Sequence, residues 1–178
     1  MIIGVPKEKD VNEHRVALSP KNILKIKKLG YNVIVEKGCG LMSKYSDEEY
    51  KVAGAELVED FKELSSKSDI IFKVQPPTEE EISEMRKGML LFSYLYPARN
   101  MELLKKLADK GVNAIAMDAI PRISRAQKMD VLSSMANIMG YRAVLEASYY
   151  FGRFLNGQIT AAGKVDPAKV LVIGAGVA

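Results

Sequence analysis

An α/β fold built on a doubly wound, mainly parallel sheet is what this sequence predicts, and three observations predict it. Short β-branched runs alternate with helical periods over the first two thirds of the chain. Those runs are apolar at nearly every residue instead of every second one, as expected of strands covered by helices on both faces. The helical periods are framed by Ser, Thr or Asn before the first turn and, in two cases, glycine after the last. Strand–helix alternation in this order implies right-handed crossovers and a flavodoxin- or Rossmann-like domain.

The strands are expected at Ile2–Val5, 31–36, 69–74, 89–95 and 112–117. Ser19 ahead of Pro20 is an N-cap followed by proline at the first helical position. That helix is expected to bury Ile23, Ile26 and Leu29 and to stop at Gly30, which takes a left-handed conformation readily. Ser46 with Glu49, and Thr78 with Glu81, have capping-box spacing. The acidic run 79–81 then lies where the helix dipole favours negative charge. Asn100 opens a further helix through Met101, Leu104 and Leu107, and Gly111 ends it.

From Asp130 to about Leu155 no proline interrupts a helical period of about seven turns. Ser133, Ala136, Gly140, Ala143 and Ala147 recur along it at three- or four-residue spacing, a stripe that serves either tight intramolecular packing or a dimer interface. Tyr149, Tyr150, Phe151 and Phe154 are expected to pack the end of this helix, and the nine methionines to fill core. A polar, Gly-containing link follows, and Pro167 leads into an apolar strand at 169–173. The expected division is an α/β domain over 1–129, a connecting helix and linker over 130–164, and the opening of a truncated second Rossmann domain over 165–178.

Composition removes several function classes. With 48% hydrophobic and 27% charged residues in 178, the chain can bury a core and is not a disordered one. One cysteine, Cys39, excludes an intrachain disulfide, and with the single His14 it excludes a Cys/His zinc site, so no metal is expected. Cys39 stands between two glycines with no acid or base partner and reads as a neutral loop thiol. The net charge of +4 comes from interleaved signs. Lys25, Lys27 and Lys28 read as a solvated helix face, and nothing resembles a nucleic-acid surface. The N-terminus lacks the layout of a signal peptide, and no apolar run approaches the ~18 residues of a membrane span. A cytoplasmic chain that does not itself insert in a membrane is expected.

Two segments point to chemistry. An apolar strand ending in Gly174-Ala-Gly176 is how a dinucleotide-binding βαβ unit begins: the first glycine makes the tight turn and the second lets backbone amides approach a pyrophosphate. The helix and ribose-binding acid of such a unit would lie beyond Ala178, so an N-terminal piece of a longer dinucleotide enzyme is expected. The second segment holds Arg122, Ile123, Ser124, Arg125, Gln127, Asp130 and Ser133, after a strand end where ligands bind in open α/β sheets. Such residues can hold a carboxamide and phosphates through charge-assisted and bidentate hydrogen bonds. They are equally compatible with an ordinary capped helix entry.

The segment from Pro121 to Ala147, PRISRAQKMDVLSSMANIMGYRAVLEA, resembles the alanine dehydrogenase and nicotinamide nucleotide transhydrogenase superfamily. So does the opening, Gly4-Val-Pro-Lys-Glu8 followed by Glu13-His-Arg-Val-Ala-Leu-Ser-Pro20. Phe151-Gly-Arg-Phe154, Gly157-Gln-Ile-Thr-Ala-Ala-Gly-Lys164 and the Gly174 loop resemble the transhydrogenase alpha-subunit branch. The resemblance implies an NAD(H)-binding component that exchanges hydride with NADP(H) on a partner component, coupled to proton movement through a membrane component. It also implies a homodimer, held peripherally at the membrane by its partners. Arg122, Gln127, Asp130 and Ser133 would orient the nicotinamide. Ile123, Ser124 and Arg125 would share that contact loop, while Gly174, Gly176 and Val177 would touch the cofactor from the glycine turn.

Alanine dehydrogenase chemistry is the alternative, and it moves protons as well as hydride, so it needs a general acid or base. In that branch a histidine serves after the strand corresponding to 89–95. Here the position reads Tyr94-Leu95-Tyr96-Pro97. Hydride transfer between two nicotinamide rings needs alignment and no side-chain proton donor. Arg15 and Lys73 match positions where alanine dehydrogenases hold pyruvate. As plain structure, Arg15 would pair with a carboxylate and Lys73, at a strand end, would reach solvent. A non-catalytic binding or assembly domain is a third reading, and the isolated 178 residues are expected to be inactive.

Overall fold

The computed structural model describes all 178 residues, and they form two compact units, Met1–Pro121 and Arg122–Ala178. The first unit contains strands β1 (Ile2–Val5), β2 (Asn32–Glu36), β3 (Glu56–Val58), β4 (Ile70–Phe72), β5 (Leu90–Ser93) and β6 (Asn113–Ala116). Its helices are α1 (Pro20–Lys28), α2 (Asp47–Val52), α3 (Phe61–Lys67), α4 (Glu79–Glu84) and α5 (Met101–Lys110). The strands make one sheet in the order β3-β2-β1-β4-β5-β6, with every neighbouring pair parallel. This is the doubly wound arrangement, and its strand order reverses between β1 and β4.

Continuous apolar strands are explained by two cores, one on each face. On β2, Val33 and Val35 pack with Val5, Ile23 and Tyr50, while Ile34 between them packs with Leu64, Ile71, Leu91 and Leu107. Successive side chains of a strand point to opposite faces, so covering both faces removes the polar alternation. Gly4 lies where α3 crosses β1. A Cβ there would collide with Ser68 Oγ and the Leu64 side chain, so only glycine fits.

The local signals act as expected at most helix ends. Ser46 and Thr78 each complete a capping box with Glu49 and Glu81. Gly30 and Gly111 take positive φ, at 86° and 74°, just after α1 and α5. Ser19 and Asn100 stand at N-cap positions without capping by their side chains. Instead Ser19 Oγ accepts from Asn22 Nδ2 at 3.3 Å, and Asn100 Nδ2 donates to the Leu95 carbonyl at 2.9 Å.

Two expectations are corrected here, and one strand is added. Leu29 is exposed, because α1 ends at Lys28 and the next residue leaves the helical period. Of the nine methionines only Met85 and Met89 are buried, and Met1, Met42, Met101, Met129 and Met139 are exposed. Strand β3 was not foreseen: three residues at a sheet edge are too few to show a period. Cys39 is a neutral loop thiol as expected; it is buried, and burial pushes it up to about 12.

In the second unit, a short 3-10 turn at Ser124–Met129 leads into helix α6 (Val131–Phe151). Gly152 takes φ 70° and ends α6, so the helix is shorter than the period suggested. The polar, Gly-containing link holds an antiparallel hairpin, β7 (Gln158–Thr160) with β8 (Gly163–Val165). The strand expected at 169–173 does not form. Isolated strands need a pairing edge, and β7 and β8 pair only with each other. No residue of α6 is buried, and Tyr149, Tyr150, Phe151 and Phe154 are exposed where packing was expected. Apolar residues lie on every side of α6, and a single hairpin cannot cover them. At one point of the small-residue stripe the backbone of Ala178 comes against Gly140, where a Cβ would collide with it.

Candidate functional site

Ile123, extended at φ −122° and ψ 155°, precedes the Ser124–Met129 turn, and Asp130 leaves it to cap α6. Asp130 Oδ1 accepts the Ser133 amide at 2.9 Å and Oδ2 accepts the Ser133 hydroxyl at 2.6 Å. The Ser134 hydroxyl donates to the Asp130 carbonyl at 3.1 Å. The Ser133 hydroxyl above all, then its amide, hold the Asp130 carboxyl below the usual range, with a smaller contribution from the charge of Arg122. Asp130 is 9% exposed. Arg122, Ser124, Arg125 and Gln127 are exposed, and their side chains make no hydrogen bond or ion pair within the chain. The loop therefore sets unspent guanidinium and carboxamide groups beside a carboxylate that is already fixed, a donor-rich set suited to planar polar groups.

The structure thus brings together Asp130, Ser133 and the field of Arg122. Gly174, Gly176 and Val177 lie in the tail of the same unit, and no hydrogen bond links them to the loop. Gly174 has φ 98°, the left-handed turn conformation required of a first glycine, and a Cβ on Gly176 would meet nothing within 4 Å, which leaves its backbone open to approach.

In the first unit the carboxyl ends of β1 and β4, at the reversal of strand order, carry a second set of polar groups. Lys73 follows β4 directly, and its Nζ lies 2.9 Å from Glu8 Oε2 and 3.4 Å from Glu81 Oε1. Its side chain is 1% exposed, which corrects the expectation that it reaches solvent. Phe72 faces one core, so the next residue points to the opposite face, where α4 supplies Glu81. Arg15 does pair with a carboxylate. Its Nε and an Nη donate to the two oxygens of Glu13 at 2.7 Å each, and its guanidinium lies 5.4 Å from the Tyr94 ring centroid. Gln75 Nε2 donates to Glu13 at 2.6 Å. The Arg15 bond, assisted by Gln75, lowers the Glu13 carboxyl to about 2 against the opposing effect of burial.

Beyond β5, Tyr96 turns the chain at φ 48°, a left-handed conformation uncommon for its type. Asp118 holds that turn, accepting the Leu95 and Tyr96 amides at 2.8 and 3.0 Å. Neither Asp118 nor Gln75 was foreseen. Glu8 and Glu13 lay inside the opening motif, and Glu81 was recognised only as half of a capping box. A surface cleft of about 550 Å³ between Met1, Asp69, Arg86 and Asn113 opens at the amino ends of the strands, away from this cluster.

Residues 4–139 match the family described as alanine dehydrogenase/PNT, N-terminal domain, and residues 143–178 match its C-terminal domain. The NAD(P) transhydrogenase subunit alpha of Haemophilus influenzae is 56% identical over 178 residues, all of this chain and 34% of that protein. The solved transhydrogenase from Sinorhizobium meliloti superposes with a TM-score of 0.94 at 44% identity, covering 99% of this chain and 53% of that one. An L-alanine dehydrogenase structure gives 0.78 at 33% identity, covering 84% and 41%. The chain spans between a third and about half of the length of these proteins.

Proposed function

The chain belongs to the alanine dehydrogenase/PNT family, and on that premise we propose that it is the N-terminal part of the NAD(H)-binding component of a proton-translocating NAD(P) transhydrogenase. In this reading 1–129 form the N-terminal domain, 130–164 the connecting helix and linker, and 165–178 the opening of the dinucleotide-binding domain. The component works as a homodimer, beside a partner that binds NADP(H) and a membrane component, and lies peripherally on the cytoplasmic side.

The residues present fit the nicotinamide end of the cofactor. Arg122, Arg125 and Gln127 are unspent donors, and Asp130 is an ionised acceptor pinned through Ser133. NAD(H), when bound, supplies the hydride. Arg122 and Gln127 would orient its carboxamide, Asp130 and Ser133 would fix the loop on which they stand, and Ile123, Ser124 and Arg125 would complete that contact. Gly174, Gly176 and Val177 would approach the dinucleotide from the turn. None of these roles requires a side chain to give or take a proton, in keeping with a transfer between two nicotinamide rings.

The observation that carries the reading is the two-pronged hold of Asp130 on Ser133 beside free arginine and amide groups. In the complete enzyme, Asp130→Asn or Arg122→Ala should slow hydride transfer on the order of 10- to 100-fold while NAD(H) affinity changes less, since misplacement costs rate before binding. Unchanged turnover in both variants would remove them from the site. The alanine dehydrogenase alternative rests on Arg15 and Lys73, and both are engaged by carboxylates of the chain itself. The complete enzyme should show no alanine-dependent NAD reduction.

A further inference from the structure

The cofactor loop leaves unused the charge cluster Glu8–Lys73–Glu81. All three side chains are at least nine-tenths buried, and a single ammonium faces two carboxylates. Those carboxylates are not equivalent. Glu8 Oε1 accepts the Val74 amide at 2.7 Å, and Oε2 accepts Lys73 Nζ at 2.9 Å and the Gln75 amide at 3.2 Å. Both oxygens of Glu8 are thus supplied with donors. Glu81 Oε2 accepts the Thr78 amide at 2.8 Å, but its other oxygen is buried and makes no hydrogen bond.

No other element packed on α4 brings a compensating charge to Glu81. From α5, Lys106 pairs with Glu79 and Lys110 donates to the Ser83 carbonyl. From α3, Ser65 donates to the Glu84 carbonyl at 2.8 Å. On β5 the buried Ser93 hydroxyl also lacks a partner, but it carries no charge. A second anion here would be a buried charge without its own counter-ion, the arrangement a protein avoids by neutralising the group.

We propose that Glu8, Lys73 and Glu81 form a one-proton site at the carboxyl ends of β1 and β4, in which Glu81 holds the proton at neutral pH. One ammonium, one carboxylate and one carboxylic acid then sum to zero. Burial, partly offset by the charge of Lys73, moves the Glu81 carboxyl in the same direction. The proton leaves Lys73 committed to Glu8, and Glu8 in turn holds the amides of Val74 and Gln75. Loss of the proton would put a net negative charge at the reversal of strand order and set two anions in competition for Lys73. Glu81 is in this sense a positioning residue for Lys73 and the turn after β4.

Difference infrared spectroscopy on the full chain tests the site. At pH 7 the wild type should show the carbonyl stretch of one protonated carboxylic acid, and Glu81→Gln should lack it. Glu8→Gln should lack it as well, because Glu81 then becomes the only anion available to Lys73 and ionises. Carbon-13 NMR of Glu-labelled wild type reads the same proton without any substitution, as one glutamate carboxyl carbon in its neutral form at pH 7. Absence of a neutral carboxyl in the wild type by both methods would overturn the proposal. So would a band that persists in Glu8→Gln, which would mean that burial alone, and not a shared counter-ion, keeps Glu81 neutral.

Discussion

In Met1–Pro121 the central strands bury side chains on both faces of the sheet, whereas in Arg122–Ala178 no residue of α6 is buried and Val170–Ile173 are 70 to 91% exposed. Both stretches are comparably apolar in sequence. What separates them is whether the chain itself supplies the opposite wall. A helix with apolar residues on every side belongs to an interior, and α6 shares its unit with no more than a hairpin and an unpaired tail. The polar groups divide in the same way. Lys73 and Arg15 in the first unit are consumed by internal carboxylates, while Arg122, Arg125 and Gln127 in the second remain unspent. Satisfied charges hold a fold together, and unspent ones are available for a ligand.

The sharpest way to break this contrast is to remove the central cation of the first unit. Lys73→Met leaves Glu8 buried without its ammonium and should cost about 3–5 kcal/mol of unfolding free energy, read from urea denaturation. A loss below about 1 kcal/mol would mean that the cluster is not structural.

Acid should act next. Glu13 titrates at about 2 in the fold against 4.5 for an unperturbed carboxyl, so its contribution is complete above pH 4.5 and is lost as pH falls towards 2. With Arg15 half-exposed and its charge partly screened, the loss should be on the order of 2 kcal/mol. The stability difference between the wild type and Glu13→Gln should shrink as pH falls from 4.5 towards 2. A difference that does not vary with pH would remove the pair from the account.

The smallest effects belong to the second unit. Arg122→Ala should change the stability of the chain by no more than about 0.5 kcal/mol, since it breaks no internal contact. Val172→Lys should likewise leave the melting curve in place while reducing concentration-dependent self-association in sedimentation, because an exposed apolar run is a pairing hazard. A cooperative destabilisation by either would show that the second unit has a core of its own.

Much of the fold could be read from neighbours along the chain. Ser46 with Glu49, Thr78 with Glu81, and glycines 30 and 111 are signals confined to one helical turn, and each acts where its spacing puts it. β3 was not legible because three residues carry no period. The strand at 169–173 was legible as a propensity only, since pairing needs an edge that local sequence cannot provide. In the candidate loop the residue types were evident. That Asp130 turns both oxygens to Ser133 and leaves the arginines free became visible only with the helix start in place.

By itself the sequence determined the alternation of strands and helices, the capping boxes at Ser46 and Thr78, the glycine stops at 30 and 111, and the donor-rich segment from Arg122 to Ser133. Each follows from interactions within a few residues, or from side chains whose chemistry does not depend on the fold. Only the tertiary structure decided the fate of Lys73, which a strand end alone would have sent to solvent. Glu8 stands 65 residues away in the chain and Glu81 on a helix laid across the sheet. The parallel order that sets β1 beside β4 closes both carboxylates around one ammonium.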